Sequence, residues 1–298
     1  MPPPFAGIWP AMLTPTTPDG QPNLPACEQL VDLFARQHLG GIYLVGSTGG
    51  WPLFSVAERK QIADVVVKAA KGRIPVMVHV GAVSTADAVD LAEHAATVGA
   101  DAVSAVGPIY YKHPSEVAFA FYRRLGAATP LPLFAYHLSG VNQSSLGPRE
   151  VAARLLEIPT LAGMKITDHD LYPFGLIHGV AGGRLRLFSG ADEVMCHAVL
   201  SGACGAIGTF YNLWGPSCAA ARAATEAGDV AAGRAFMLRF QSAIADALAG
   251  GVWSFLRAGM RLKYGLDVGM PRPPLGTGDG VWSDEQVREL LSRVDGPA

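Results

Sequence analysis

PVMVHVGAVSTADAVDLAEHAATVGADAVSAVG, residues 75–107, holds one complete unit of the fold. The runs at 75–80 and 102–107 are short, apolar and rich in Val and Ala, the composition of strands buried on both faces. Between them, residues 84–98 set Ala88, Leu91, Ala92 and Ala95 at three- and four-residue spacing, which is one face of a helix. Strand, helix and strand within roughly 30 residues make a β-α-β unit, whose two strands must lie parallel.

The same rhythm extends in both directions. Strands are predicted at residues 7–14, 41–46, 75–80, 102–107, 133–138, 161–166, 185–190 and 205–209, with helical stretches such as 25–37, 55–70, 84–98, 115–127 and 191–200 between them. Ser55 followed by Glu58 matches a capping box, so the helix after the second strand has a start signal. Eight such units match a (β/α)8 TIM barrel, whose usual size is about 250 residues. A doubly wound sheet is the alternative, but it usually has fewer strands. After Gly228 the strand pattern stops, and residues 230–249 and 252–263 read as helices. The expected division is a catalytic barrel over residues 1–225 and a compact C-terminal helical extension over 226–298.

Composition narrows the function. The chain has 298 residues, half of them hydrophobic, enough for a large core. Lys and Arg total 23 against 25 Asp and Glu, so no basic surface points to nucleic acid. Cys27, Cys196, Cys204 and Cys218 lack metal-ligand spacing and read as buried thiols of a reducing compartment. No apolar run reaches the roughly 20 residues of a membrane helix. Met1-Pro2-Pro3-Pro4 lacks the basic start of a signal peptide, so the expected location is the cytoplasm, with no membrane partner.

In a barrel of this kind chemistry sits at the C-terminal ends of the strands. Lys165 stands inside the apolar run Leu161-Ala162-Gly163-Met164-Lys165-Ile166, whereas Lys60, Lys68, Lys71, Lys112 and Lys263 lie in helical or loop patterns open to water. Burial favours the neutral, nucleophilic form of an amine, which is what Schiff-base chemistry requires. An ion-paired structural lysine is the other reading. Gly46-Ser47-Thr48-Gly49-Gly50 follows the second strand, and its backbone N–H groups and hydroxyls suit a small carboxylate or phosphate, although a glycine-rich turn is also a common structural device. Tyr136 ends the fifth strand, where a phenol serves as a proton relay or as core; His137 faces the other side and receives no role. Gly190, Asp192 and Glu193 close the seventh strand, Thr209 the eighth, and Thr167 lies two residues beyond the lysine. These form a polar rim for a hydroxylated substrate, the acids being alternatively partners of a helix dipole. All converge on one mouth. The reaction they fit is retro-aldol cleavage or dehydration of a 2-oxo acid, with an iminium at C2 as electron sink and neither metal nor cofactor required.

With these residues the chain resembles the dihydrodipicolinate synthase and N-acetylneuraminate lyase family of class I pyruvate aldolases. The resemblance runs from Thr14-Pro15 and Asp19-Gly20 to Arg272-Pro273-Pro274-Leu275, and is most specific at Gly46-Ser47-Thr48-Gly49, Tyr136, Lys165 and Gly205-Ala206-Ile207-Gly208. It implies a TIM barrel with a helical extension, assembled as a homotetramer. Lys165 would form the Schiff base, Ser47 and Thr48 would hold the pyruvyl carboxylate, Tyr136 would relay the proton, and Tyr110 would reach into a neighbouring subunit's site. Lys165-Ile166-Thr167 with Asp170-Leu171-Tyr172, Gly190-x-Asp192-Glu193, and Thr209 with Tyr211-Asn212 are similar to the lyase branch. Synthases carry an arginine shortly after the relay tyrosine, and residues 137–148 contain none.

The chain departs from the family pattern at Gly50-Trp51, at His137-Leu138-Ser139-Gly140-Val141 and at Phe210. The expected activity is cleavage of a sugar-derived 2-oxo acid to pyruvate and an aldehyde. The alternatives are a dehydratase or aldolase of a 2-keto-3-deoxy sugar acid, and a barrel that binds a 2-oxo acid without turning it over.

Overall fold

Parallel strands whose side chains alternate between a barrel interior and a ring of helices organise the chain. The computed structural model describes residues 5–141 and 145–296; Met1–Pro4, read above for a leader, lie outside them. The strands are β1 (Gly7–Pro10), β2 (Ile42–Leu44), β3 (Val76–His79), β4 (Ala102–Val106), β5 (Leu133–Leu138), β6 (Leu161–Thr167), β7 (Arg186–Ser189) and β8 (Gly205–Gly208). Neighbours in sequence are neighbours in the sheet, and β1 pairs with β8. A parallel bridge from Ala11 to Tyr43 joins β1 to β2 and closes the barrel.

The helices α1 (Leu24–Arg36), α2 (Val56–Ala70), α3 (Thr85–Val98), α4 (Ser115–Ala128), α5 (Pro148–Leu155), α6 (Tyr172–Ala181), α7 (Met195–Leu200) and α8 (Tyr211–Glu226) follow the strands in turn. The capping box at α2 forms: the Ser55 hydroxyl accepts the Glu58 N–H, and the Glu58 carboxylate accepts the Ser55 N–H at 2.8 Å. Two apolar clusters result. One lies between sheet and helices, and the other fills the barrel with Trp9, Met77, Phe134, Phe188 and Ile207. Inside, Phe188 meets Trp9 and Phe134 edge to face, with ring centroids 5.6 and 5.9 Å apart. These bulky rings fill the barrel's lower half and leave its upper half for polar side chains.

The first strand is shorter than residues 7–14. Beyond Pro10 only the bonds of Ala11 N–H to the Gly208 carbonyl and Met12 N–H to the Tyr43 carbonyl continue the pairing; the Leu13 N–H turns to the Asn212 side chain, and the chain leaves the ladder. The stretch 191–200 divides into a 3₁₀ turn, Asp192–Val194, and α7, because the Asp192 carboxylate is anchored to the Phe210 N–H of the next strand's end. Cys27, Cys196 and Cys218 are buried, whereas Cys204 is half-buried.

Beyond α8 come α9 (Val230–Gly250), α10 (Val252–Tyr264) and a further helix, α11 (Asp284–Asp295). Trp214 of α8 meets Phe240 of α9 and Phe255 of α10 at ring distances of 5.8 and 5.7 Å, so the extension packs on the last barrel helix. The loop after α10 returns to the barrel mouth, where Arg272 forms a two-pronged ion pair with Glu58 and donates to the Leu53 carbonyl. No helix among the described residues is long and apolar enough to cross a membrane.

Candidate active site

The strand register brings the predicted centre together. Tyr136 of β5 pairs with Lys165 of β6, so both side chains point into the barrel at one level. Lys165 is only 4% exposed. Its Nζ sits 4.4 Å from the Tyr136 ring centroid and 4.5 Å from that of Tyr43, held between two aromatic faces whose quadrupoles favour a cation. The Tyr136 hydroxyl lies 3.5 Å from both Ser47 Oγ and Thr167 Oγ1. Burial raises the affinity of this phenol for its proton, but the Lys165 charge and the hydrogen bonds from Ser47 and Thr167 outweigh it, and its pKa falls below the ordinary value. An easily ionised phenol beside an amine and two hydroxyls can accept and return a proton, the chemistry expected of a relay.

The loop after β2 reaches this centre through backbone strain. Val45, the residue that launches it, has φ +49°, a left-handed conformation that a β-branched side chain rarely adopts. Such strain costs about 1–3 kcal/mol and persists where surrounding structure enforces it. Past this joint, Ser47 stands exposed at the mouth, while Thr48 is buried with its hydroxyl 2.7 Å from that of Thr209 at the end of β8. Gly190 is required by proximity: a Cβ there would overlap Thr167 Oγ1 and lie 2.9 Å from Lys165 Cε.

The structure separates the remaining predicted rim residues. Asp192 is buried; its Oδ2 accepts the Phe210 N–H at 2.8 Å, and its other oxygen packs where a Cβ on Gly208 would stand. Burial is the main reason its pKa rises to about 7. Glu193 remains half-buried, 3.7 Å from His169. Tyr211 and Asn212 are also buried, and the Asn212 amide donates to the Ala11 and Thr209 carbonyls at 2.8 Å, tying β1 to β8. Tyr110 lies outside this chain's own centre, 85% exposed, with φ +78° and its ring edge-on to Tyr111.

Two residues that sequence reasoning did not place here, Tyr43 and His79, complete the site together with Trp51, noted above as a departure from the family pattern. Tyr43 donates its hydroxyl to Ser104 at 3.1 Å while its ring faces Lys165. His79 accepts the Val106 N–H through Nε2 at 3.1 Å, and burial first, then the charges of Arg59 and Lys165, keep its pKa well below the ordinary value. Trp51 packs on the His79 ring at 5.4 Å and under the Arg59 guanidinium, which itself donates to the His79 and Gly81 carbonyls. The two-residue step from Met77 to His79 and from Phe134 to Tyr136, which puts each pair on inward strand positions, was the available signal, but an inward aromatic reads equally well as core.

Comparison with known proteins agrees with this geometry. Residues 4–292 match the dihydrodipicolinate synthetase family. An N-acetylneuraminate lyase of Mus musculus is 33% identical over 276 residues, covering 90% of this chain and 86% of the relative. The solved Proteus mirabilis N-acetylneuraminate lyase superposes with a TM-score of 0.85 at 29% identity, over 97% of each chain. The Ruminococcus gnavus sialic acid aldolase shares the fold with a TM-score of 0.91 at 24% identity, over 98% of this chain and 97% of that one. With a family match over nearly its whole length and a buried lysine at the barrel mouth, the chain belongs to the dihydrodipicolinate synthetase family, as an N-acetylneuraminate-lyase-like class I aldolase.

Proposed function

We propose that the protein cleaves a 4-hydroxy-2-oxo acid, of the sugar-derived class its relatives' names suggest, into pyruvate and an aldehyde through a Schiff base on Lys165. The observation that carries this reading is the Lys165 amine, buried between two tyrosine rings and within reach of the Tyr136 hydroxyl. The amine attacks C2 and water departs, leaving an iminium. Tyr136 takes the proton of the C4 hydroxyl, the C3–C4 bond breaks, and its electron pair moves into the iminium to give an enamine. The aldehyde leaves; C3 is protonated, and water releases pyruvate and the free lysine.

Ser47 and Thr48 stand where they would hold the carboxylate, with Thr167 and Gly190 beside the reacting carbons and Glu193 and Thr209 further out. Tyr43 supports the cationic iminium through its ring face. Residues 1–225 act in this reading as the catalytic unit and 226–298 as the extension that braces its mouth. Tyr110, solvent-facing in one chain, completes a neighbouring centre in a homotetramer, and the protein works in the cytoplasm. The test is a coupled assay of pyruvate release from 4-hydroxy-2-oxo acids. Turnover that disappears in Lys165→Ala supports the proposal, whereas turnover in that variant refutes it.

A further inference from the structure

His79 is anchored at more points than a filler of the core needs. Its ring centroid lies 6.1 Å from that of Tyr43 and 6.2 Å from that of Tyr136, and it meets Tyr136 edge to face at 83°. These are the two rings that enclose Lys165 Nζ. Trp51 packs against the same imidazole at 5.4 Å. The ring is also tied in its own plane, because Nε2 accepts the Val106 N–H at the end of β4 at 3.1 Å. Glycine at 81 leaves room for that bond, since a Cβ there would lie 2.8 Å from Nε2. The backbone beneath is clamped by Arg59, which donates to the His79 and Gly81 carbonyls at 2.7 and 2.9 Å. A phenylalanine would fill similar space but leave the buried Val106 N–H without this acceptor. Burial first, then Arg59 and Lys165, keep the imidazole uncharged, so it adds nothing to the charge on an iminium.

We infer that His79 is a positioning residue for the cleavage step: its anchored ring is the spacer that sets Tyr43 and Tyr136 about the Lys165 amine and keeps the Tyr136 hydroxyl between Ser47 and Thr167. The inference rests on the Schiff-base cleavage proposed above and changes none of its bonds. The carboxylate is assigned to Ser47 and Thr48, so loss of the spacer falls on kcat and not on KM. A displacement of about 1 Å at a reacting group costs about 10²-fold in rate. A Tyr136 hydroxyl that drifts from one of its two hydroxyl partners loses a hydrogen bond that favours the phenolate, which raises its pKa by about one unit.

The experiment compares wild type, His79→Gln, Tyr136→Phe and the double variant. Glutamine keeps an acceptor for the Val106 N–H and removes the ring. Pyruvate release is followed with the best substrate among 4-hydroxy-2-oxopentanoate and its polyhydroxylated homologues, and pyruvate is trapped on Lys165 by borohydride in the same preparations. The expected result for His79→Gln is a kcat about 10²-fold lower with KM within about threefold, trapping retained, and the alkaline rise of the kcat profile displaced upward by about one pH unit. Added to Tyr136→Phe, the same substitution should cost less than about threefold more, because both act through one hydroxyl. Losses that multiply in the double variant, an unmoved alkaline rise, or a raised KM with kcat unchanged make His79 plain core and overturn the inference alone. Should His79→Gln fail to fold, His79→Phe, which keeps a ring and gives up the Val106 bond, decides by the same criteria with a kcat loss of about tenfold. Absent trapping or turnover in the wild type overturns the Schiff-base cleavage and this inference together.

Discussion

Replacing Tyr136 by Phe separates the two tasks assigned to this side chain. The ring stays, so the face 4.4 Å from Lys165 Nζ is kept, while the hydroxyl 3.5 Å from Ser47 Oγ and Thr167 Oγ1 is lost. Those two hydroxyls rotate to other partners, and the loss of stability is about 1 kcal/mol. Catalysis loses its relay. A positioned acid–base group contributes about 10²–10⁴-fold, or about 3–5 kcal/mol of barrier. Pyruvate release should therefore fall by that factor, while borohydride trapping on Lys165 persists with slowed formation. Because Tyr136 acts as the base in cleavage and its pKa lies below the ordinary phenol value, the wild-type pH profile should also rise along an alkaline limb that the variant lacks. Steady-state assay of pyruvate against pH measures both. A fall of less than tenfold, with the alkaline limb retained, would refute the relay.

Asp192→Asn mimics the protonated acid. Since the folded-state pKa of Asp192 is raised to about 7, its contribution to stability is fully present below the ordinary Asp range and is lost as pH climbs through 7. The variant should thus gain stability over the wild type between pH 5 and pH 8, on the order of 3 kcal/mol, read by denaturant unfolding at each pH. Glu58 has the opposite sign: the hydrogen bond from Arg272 lowers its pKa to about 2, so its contribution is present above the ordinary Glu range and is lost as acid approaches pH 2. Solvent screening limits this pair to about 1 kcal/mol, and the cost of Arg272→Gln should be smaller by about that much at pH 2 than at pH 7 in the same unfolding assay, the bonds to the Leu53 and Gly20 carbonyls being lost at both. Gly190→Ala drives a methyl onto Thr167 and Lys165 and should abolish pyruvate trapping while circular dichroism shows an intact fold. Phe188→Ala opens a cavity in the barrel interior and should cost about 3–5 kcal/mol in chemical denaturation.

The barrel was legible because each strand carries its own apolar run and each helix its own periodic face. Lys165 was legible because a lone cation in such a run is costly to bury unless it is paired or put to chemical use. What escaped depends on contacts between distant segments. Asp192 read as a rim acid, but its direction is set by the Phe210 N–H, which reaches it only after β8 closes beside β7. Tyr43 and His79 escaped because inward strand positions accept bulk whether or not an amine sits above them. The helix α11 had a local signal, the Ser283 and Gln286 capping box with Val287, Leu290, Leu291 and Val294 on one face, but it lies beyond the helical pattern that ends at Lys263.

The measurement closest to the central claim is borohydride reduction of the protein with pyruvate, followed by peptide mapping by mass spectrometry beside Lys165→Ala. A reduced pyruvate adduct confined to the peptide carrying Lys165, and missing from the variant, is the predicted result. A wild-type protein that folds but takes no adduct, or takes it on another lysine, would contradict the account.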